Sequence, residues 1–390
     1  MRGAPGELSS ARIVGLLAAT LAILAIFGAG NPFKAFAGWT SGGGETVRMQ
    51  PTRLDPAHAD VTCGKDLLGS LAGVPTPDPG RHRIVFFGNS QQYTASLPRG
   101  ATVVADHEAT IASDVFGAAL ERRAPGAYTV YNASAPNQTP VEVLWQALYW
   151  FKVASVTPAV IVVQSSFDSY RKAGIRPKYQ ELLVEPRFAA ALAAFNRPDA
   201  PWAGDFLAAQ HDREVRKTEV VTAKEERWTP EVGLRGALEH LPLYRERAAR
   251  KENFLLDLYS VRVLALGISP TTRRHIAGQA LTQSFAAMTD LLRLARASGA
   301  RVLVYNAPVN PAVSMFYQDE YDAYVERLRA LTAAESAAFV DLAAAVPSDR
   351  WGYWVDGPDP IHFNEEGHRV LAARLDEAFG PQLATLAHEF

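Results

Sequence analysis

The chain has 390 residues, a net charge of −2, 48% apolar and 21% charged residues, and a single cysteine, Cys63. This is ordinary globular composition with room for a full catalytic domain and an accessory segment. It excludes an intramolecular disulfide framework and a cysteine-held zinc, and it offers no basic stripe with interleaved aromatics for nucleic acid.

After a short tail, residues 1–12, the segment 13–33 carries no charged side chain. At about 1.5 Å per residue it can cross a hydrocarbon core of about 30 Å, and it has no polar face, so a transmembrane anchor is expected. A cleaved signal peptide is the other reading, because Ala35-Phe36-Ala37 offers a small-x-small site. Arg2 and Arg12 before the run balance Lys34 and Arg48 after it, so charge does not set the orientation. The expected location is the inner membrane with the bulk of the chain on the extracytoplasmic side, or secretion if the segment is cleaved. Residues 34–80, with Ser41-Gly42-Gly43-Gly44 and Pro75-Thr76-Pro77-Asp78-Pro79-Gly80, read as a juxtamembrane linker.

Short apolar runs then alternate with helical stretches. Ile84–Phe87, Tyr128–Tyr131, Ala159–Val163, Arg301–Tyr305 and Ala338–Leu342 are five candidate strands. Their continuous apolar character suits parallel strands buried on both faces. Helices are expected over Val141–Val153, Ala277–Ser298 and Glu365–Phe379, the last capped by Asn364. The pattern predicts an α/β fold of three layers around a mostly parallel sheet of about five strands, with sites at the strand C-terminal ends. The catalytic body would be 81–171 and 256–390. Residues 172–255, charge-dense at 205–227 and 244–252, would form a helical insertion that is either a solvated excursion or a lid or docking surface.

Two strand-end motifs carry chemistry. Gly88-Asn89-Ser90 puts a serine at a sharp strand-to-helix turn, where Gly88 supplies backbone freedom and the following helix aims N–H groups at an oxyanion. Asp359-Pro360-Ile361-His362, read as a tight turn, lets the aspartate hold the imidazole through Nδ1–H. The other ring nitrogen can then take the serine proton. Ser90, Asp359 and His362 are therefore the candidate catalytic residues.

This arrangement resembles the SGNH (GDSL-type) hydrolase superfamily, with Asn89 standing where an aspartate is usual. The anchor and insertion make it similar to the envelope branch that includes the alginate O-acetylation proteins and the teichoic-acid D-alanylation protein D. The resemblance implies an SGNH-hydrolase-like domain that needs no cofactor or metal. It implies acyl-ester chemistry on a cell-envelope glycan, with O-acyl (acetyl) transfer from an acyl donor and a multi-pass membrane O-acyltransferase as partner. A carbohydrate esterase or a non-catalytic glycan-binding scaffold are the alternatives. It also implies a Gly and an Asn completing the oxyanion hole. Asn137 aligns with the first, and its side-chain type tolerates left-handed backbone. Asp168, or by a small shift Ser166, aligns with the second, although a carboxylate would repel an oxyanion unless protonated.

The remaining features read blandly. His107, His211, His240 and His275 have no metal-ligand spacing, and Trp145, Tyr149 and Trp150 fall at core helical spacing. Trp351, Tyr353 and Trp354 are open between core and a sugar-binding wall.

Overall fold

Ile84–Phe87 and Val160–Val163 are fully or almost fully buried, and their side chains alternate between two separate apolar clusters. That alternation follows from the two-residue strand period: a run that is apolar at every position needs cover on both faces. The computed structural model describes residues 49–50, 80–101, 109–135, 137–172, 175–176, 179, 181–195, 273, 275–276, 278–313, 315–354 and 357–388.

The strands are β1 (Met49–Gln50), β2 (His82–Phe87), β3 (Ala95–Ser96), β4 (Tyr128–Asn132), β5 (Val160–Ser165), β6 (Arg301–Asn306), β7 (Ala338–Asp341), β8 (Trp351–Trp354) and β9 (Gly357–Phe363). The main sheet has the order β4-β2-β5-β6-β7 and is parallel throughout. The five strands expected from sequence are the five strands of this sheet. Two small antiparallel pairs, β1 with β3 and β8 with β9, lie apart from it.

Among the described residues the α-helices are α1 (Ala112–Arg123), α2 (Pro140–Lys152), α3 (Phe167–Tyr170), α4 (Pro186–Phe195), α5 (Gly278–Ala297), α6 (Gln318–Ala334) and α7 (Glu365–Leu386). One cluster joins Val85, Phe87, Ile161 and Val163 to Leu144 and Leu148 of α2, Leu291 and Met288 of α5, and Leu328 of α6. The other joins Ile84, Phe86, Val160 and Val162 to Phe116 of α1 and Leu371 and Leu375 of α7. The result is three layers, α/β/α.

Local chemistry explains the helix starts. Thr139 accepts the Glu142 N–H while the Glu142 carboxylate accepts the Thr139 N–H, and Pro140 occupies the first helical position of α2. Asn364 accepts the Gly367 N–H, with Glu365 and Glu366 in the first turn of α7. Trp145 and Trp150 are buried in the core, as their spacing indicated.

Four expectations change. The helix read as ending at Phe379 runs through Pro381 to Leu386, because Leu383 and Leu386 continue the buried face beyond the proline. The linker reading of 34–80 yields at Met49–Gln50, which pairs with β3. Asp359 and His362 sit on strand β9 rather than a tight turn; Pro358 and Pro360 are tolerated there because in a two-stranded ribbon not every N–H must be paired. Trp351 leaves the proposed sugar wall: it is 3% exposed, packs edge-on against Phe363 at 5.2 Å and donates its indole N–H to the Val346 carbonyl.

Among the described residues, no helix is long and apolar enough to cross a membrane. The expected anchor, 13–33, lies outside the described residues, as do residues 196–270 of and beyond the expected insertion and the histidines 107, 211 and 240.

Candidate active site

β2 ends at Phe87, and the chain turns at once into a single 3₁₀ turn, Ser90–Gln92. Asn89 caps that turn: its Oδ1 accepts the Gln91 N–H at 3.0 Å. Gly88 is needed here, but for space rather than for the backbone freedom expected of it. Its φ is not among the positive ones, whereas a Cβ would stand 2.5 Å from Gln164 Oε1 and 2.8 Å from Gln92 Cγ. The glycine lets the serine turn pack directly on the end of β5.

The structure brings the three sequence-selected residues into one chain of hydrogen bonds. Ser90 Oγ lies 2.9 Å from His362 Nε2, across 272 positions of sequence. His362 Nδ1 lies 3.1 Å from Asp359 Oδ2. Asp359 is fully buried, and its second oxygen accepts the backbone N–H groups of Ile361 at 2.8 Å and His362 at 2.9 Å. Burial acts to raise the Asp359 pKa, but the hydrogen bond and charge of His362 and the two backbone donors outweigh it. The carboxyl is held below its ordinary value. An ionised Asp359 fixes the tautomer: it takes Nδ1–H, and the Nε2 lone pair faces the serine hydroxyl.

Supports behind these residues were not signalled by any motif. Gln91 Nε2 donates to the carbonyls of Pro308 at 3.0 Å and Ile361 at 2.9 Å, while its Oε1 accepts from Gln164 Nε2 at 2.6 Å. Gln164 Oε1 in turn accepts the Asn89 N–H at 3.0 Å. Two buried amides therefore tie the serine turn to the strand that carries the histidine. Asn310 Nδ2 donates to the Asp359 carbonyl at 2.8 Å. Glutamines at strand and turn positions carry no pattern that distinguishes such a role from a surface side chain, so sequence alone could not single them out.

The two oxyanion candidates fare differently. Asn137 adopts left-handed backbone, φ 52°, and lines the same pocket as Ser90. Among the described residues the N–H groups of Ser90 and Asn137 make no hydrogen bond, so both are free to serve an oxyanion. Lys172 Nζ donates to Asn137 Oδ1 at 3.0 Å. Asp168 also lines the pocket, but as an ion-paired carboxylate: Arg171 binds one oxygen and Lys172 Nζ lies 3.3 Å from the other. Burial acts to raise its pKa, yet the two cations win and hold it below the ordinary value. An anion cannot donate to an oxyanion, so Asp168 is removed from that role. Ser166, the shifted alternative, faces the pocket beside Ser169.

The pocket encloses about 540 Å³ with its open mouth included. Ala307, Pro308, Val309, Met315, Phe316 and Ile361 give it an apolar lining beside the polar groups. A pocket lined by the nucleophile, Asn137 and apolar side chains, with His362 hydrogen-bonded to the nucleophile, suits an acyl group held for attack at its carbonyl. His275 takes no part; it pairs with Glu320 at 2.6 Å and stacks on Tyr317.

Asp359→Asn tests the acid-base pair. Without the carboxylate the imidazole loses its tautomer lock, and kcat for an activated acyl ester is expected to fall about 10⁴-fold with KM little changed. Steady-state kinetics on the purified chain read this directly.

A sequence profile of the GDSL-like Lipase/Acylhydrolase family matches residues 190–370, a span that includes Asp359 and His362 and begins beyond Ser90. No curated protein matches the chain in sequence. Similar solved structures include the lipase/acylhydrolase from Enterococcus faecalis, 12% identical, covering 77% of this chain and 96% of that one at a TM-score of 0.37. An acetylxylan esterase from Geobacillus stearothermophilus is 11% identical, with 77% and 94% covered and a TM-score of 0.37. An alpha/beta hydrolase enzyme from the metagenome of Lake Arreo, Spain, is 13% identical, with 77% and 95% covered and a TM-score of 0.38. The family match over 190–370 takes in the Asp359 and His362 end of the hydrogen-bonded triad, and Ser90 joins it from outside that span.

Proposed function

We propose that this chain is a serine-dependent acyl-ester enzyme that transfers an acyl group, acetyl in the first instance, to a hydroxyl of a cell-envelope polysaccharide. The observation that carries the chemistry is the Ser90–His362–Asp359 chain, with both hydrogen bonds in place. His362 Nε2 takes the Ser90 proton as Oγ attacks the acyl carbonyl. The tetrahedral oxyanion is met by the N–H groups of Ser90 and Asn137. His362 then returns the proton to the leaving oxygen, and an acyl-Ser90 ester remains.

The uncharged run 13–33 supports an extracytoplasmic, membrane-attached setting, and the segment 172–255 supports an added surface for an acceptor or a donor-side membrane partner. Whether a sugar hydroxyl or water resolves the acyl-enzyme separates transferase from esterase. The purified chain is incubated with an aryl acetate and an acceptor oligosaccharide, and the products are read by mass spectrometry. Acetylated oligosaccharide lost in Ser90→Ala supports transfer; free acetate as the sole product makes the protein an esterase. No Ser90-dependent release at all leaves only the glycan-binding scaffold.

A further inference from the structure

Among the described residues that line the pocket, only Asn137 has positive φ. The Ala135 carbonyl accepts the Gln138 N–H at 3.2 Å, which makes Asn137 the third residue of a four-residue turn. The two common forms of such a turn differ by a flip of the central peptide, whose N–H belongs to the third residue. The sign of φ at that residue distinguishes them. Positive φ at Asn137 therefore fixes the side to which its N–H points. Glycine takes this form at no steric cost, whereas asparagine must hold it against its own Cβ.

The neighbouring turn supplies a holder. Asn137 Oδ1 accepts from Lys172 Nζ at 3.0 Å, across 35 positions of sequence. The same Nζ lies 3.3 Å from Asp168 Oδ2. The other carboxylate oxygen accepts from Arg171 Nε at 3.1 Å, so Asp168 is itself fixed. Asp168 lies on α3, and Arg171 and Lys172 follow it directly. The segment after β4 is thus latched to the segment after β5. The side chains of Lys172 and Asp168 are 37% and 22% exposed, and a pair so open to water adds little to global stability. Its effect is local, on which form of the turn is populated.

We propose that Lys172 is a positioning residue: anchored on Asp168, it holds the Asn137 side chain and so keeps the Asn137 N–H turned to the site of attack. The assignment rests on the serine-dependent acyl-ester reading above. It gives Asp168 a part that requires no donated hydrogen. It also makes Asn137, Asp168 and Lys172 one unit, because asparagine at this turn needs a latch that glycine would not.

The test is a double-mutant cycle, read as turnover of an aryl acetate by the full chain. Lys172→Met removes the donor and is expected to lower kcat roughly tenfold with KM within about threefold, less than the loss of an oxyanion donor outright. Asn137→Gly favours the same backbone without a latch and is expected to keep at least about a tenth of kcat. In the N137G background, K172M is expected to change kcat by less than about twofold, since nothing is left to hold. Asp168→Asn is expected to lower kcat about threefold by freeing the lysine. Thermal melts check that the variants stay folded. Unchanged kcat in K172M overturns the assignment. An equal loss from K172M in both backgrounds also overturns it, because the lysine would then act through its charge and not through Asn137. So does a fall of about 10²-fold in N137G, since glycine keeps both the N–H and the turn. Full activity in D168N overturns the anchoring given to Asp168. A wild type with no Ser90-dependent turnover overturns the acyl-ester reading together with this one; active wild type with fully active K172M overturns this one alone.

Discussion

Ser90→Ala is expected to reduce turnover of an activated acyl ester by about 10⁴–10⁶-fold while leaving the fold intact. The size follows from what is lost. Without Oγ there is no acyl-enzyme, and His362 is left to activate water from a position set for a serine. What survives is the contribution of the oxyanion donors and the pocket, which in serine hydrolases still exceeds the uncatalysed reaction by roughly 10³-fold. The structural cost is small, because among the described residues Ser90 Oγ makes one hydrogen bond, to His362, and that residue keeps its tether to Asp359. Paired kinetics and thermal melts on wild type and S90A check both halves. A variant that keeps more than about a hundredth of wild-type turnover would show that another nucleophile operates.

The second large effect concerns stability. His368 is fully buried on α7, with Nδ1 accepting the Ala112 N–H at 3.2 Å and Nε2 donating to the Thr94 carbonyl at 3.1 Å. Only the neutral ring can do both. Burial pushes its pKa down from 6.5 to about 4, with the Thr94 carbonyl opposing and His362 adding to the shift. A folded value below the unfolded one means that the unfolded chain binds the proton first as pH falls. The stability this residue allows is complete above about pH 6.5, is lost progressively from there to about pH 4, and no longer changes below that. The loss is about 3 kcal/mol at full extent. His368→Gln removes the titration and is expected to flatten the fall in melting temperature between pH 6.5 and 4, while starting lower at pH 8. Denaturant melts across that range compare the two slopes directly; parallel curves would refute the assignment to His368.

The frame was readable because parallel strands buried on both faces announce themselves. Ile84–Phe87 and Val160–Val163 have no polar position to confuse the pattern. The triad was readable because Gly-x-Ser and the Asp-x-x-His spacing are local signals, four residues or fewer in extent. Three things were hidden, each for a physical reason. Proline at 358 and 360 reads as a turn until a partner strand, itself built on the Trp351–Trp354 segment, is known. The need for glycine at 88 comes from Gln164, distant in sequence, and not from local backbone preference. The roles of Gln91 and Gln164 depend on which hydrogen meets which lone pair, and a one-dimensional pattern does not carry that count.

The Asp359–His362 couple is set within four residues by the carboxylate and two of its own backbone donors. The Ser90–His362 contact spans 272 positions and is held through the small β8–β9 ribbon and two glutamine side chains. These two links therefore differ in robustness. On warming or in mild denaturant, the ribbon can part from the serine turn while the five-stranded sheet and the aspartate–histidine couple persist. Inactivation will then run ahead of unfolding, and the enzyme will pass through a folded but silent form whose recovery needs only re-docking of one hairpin.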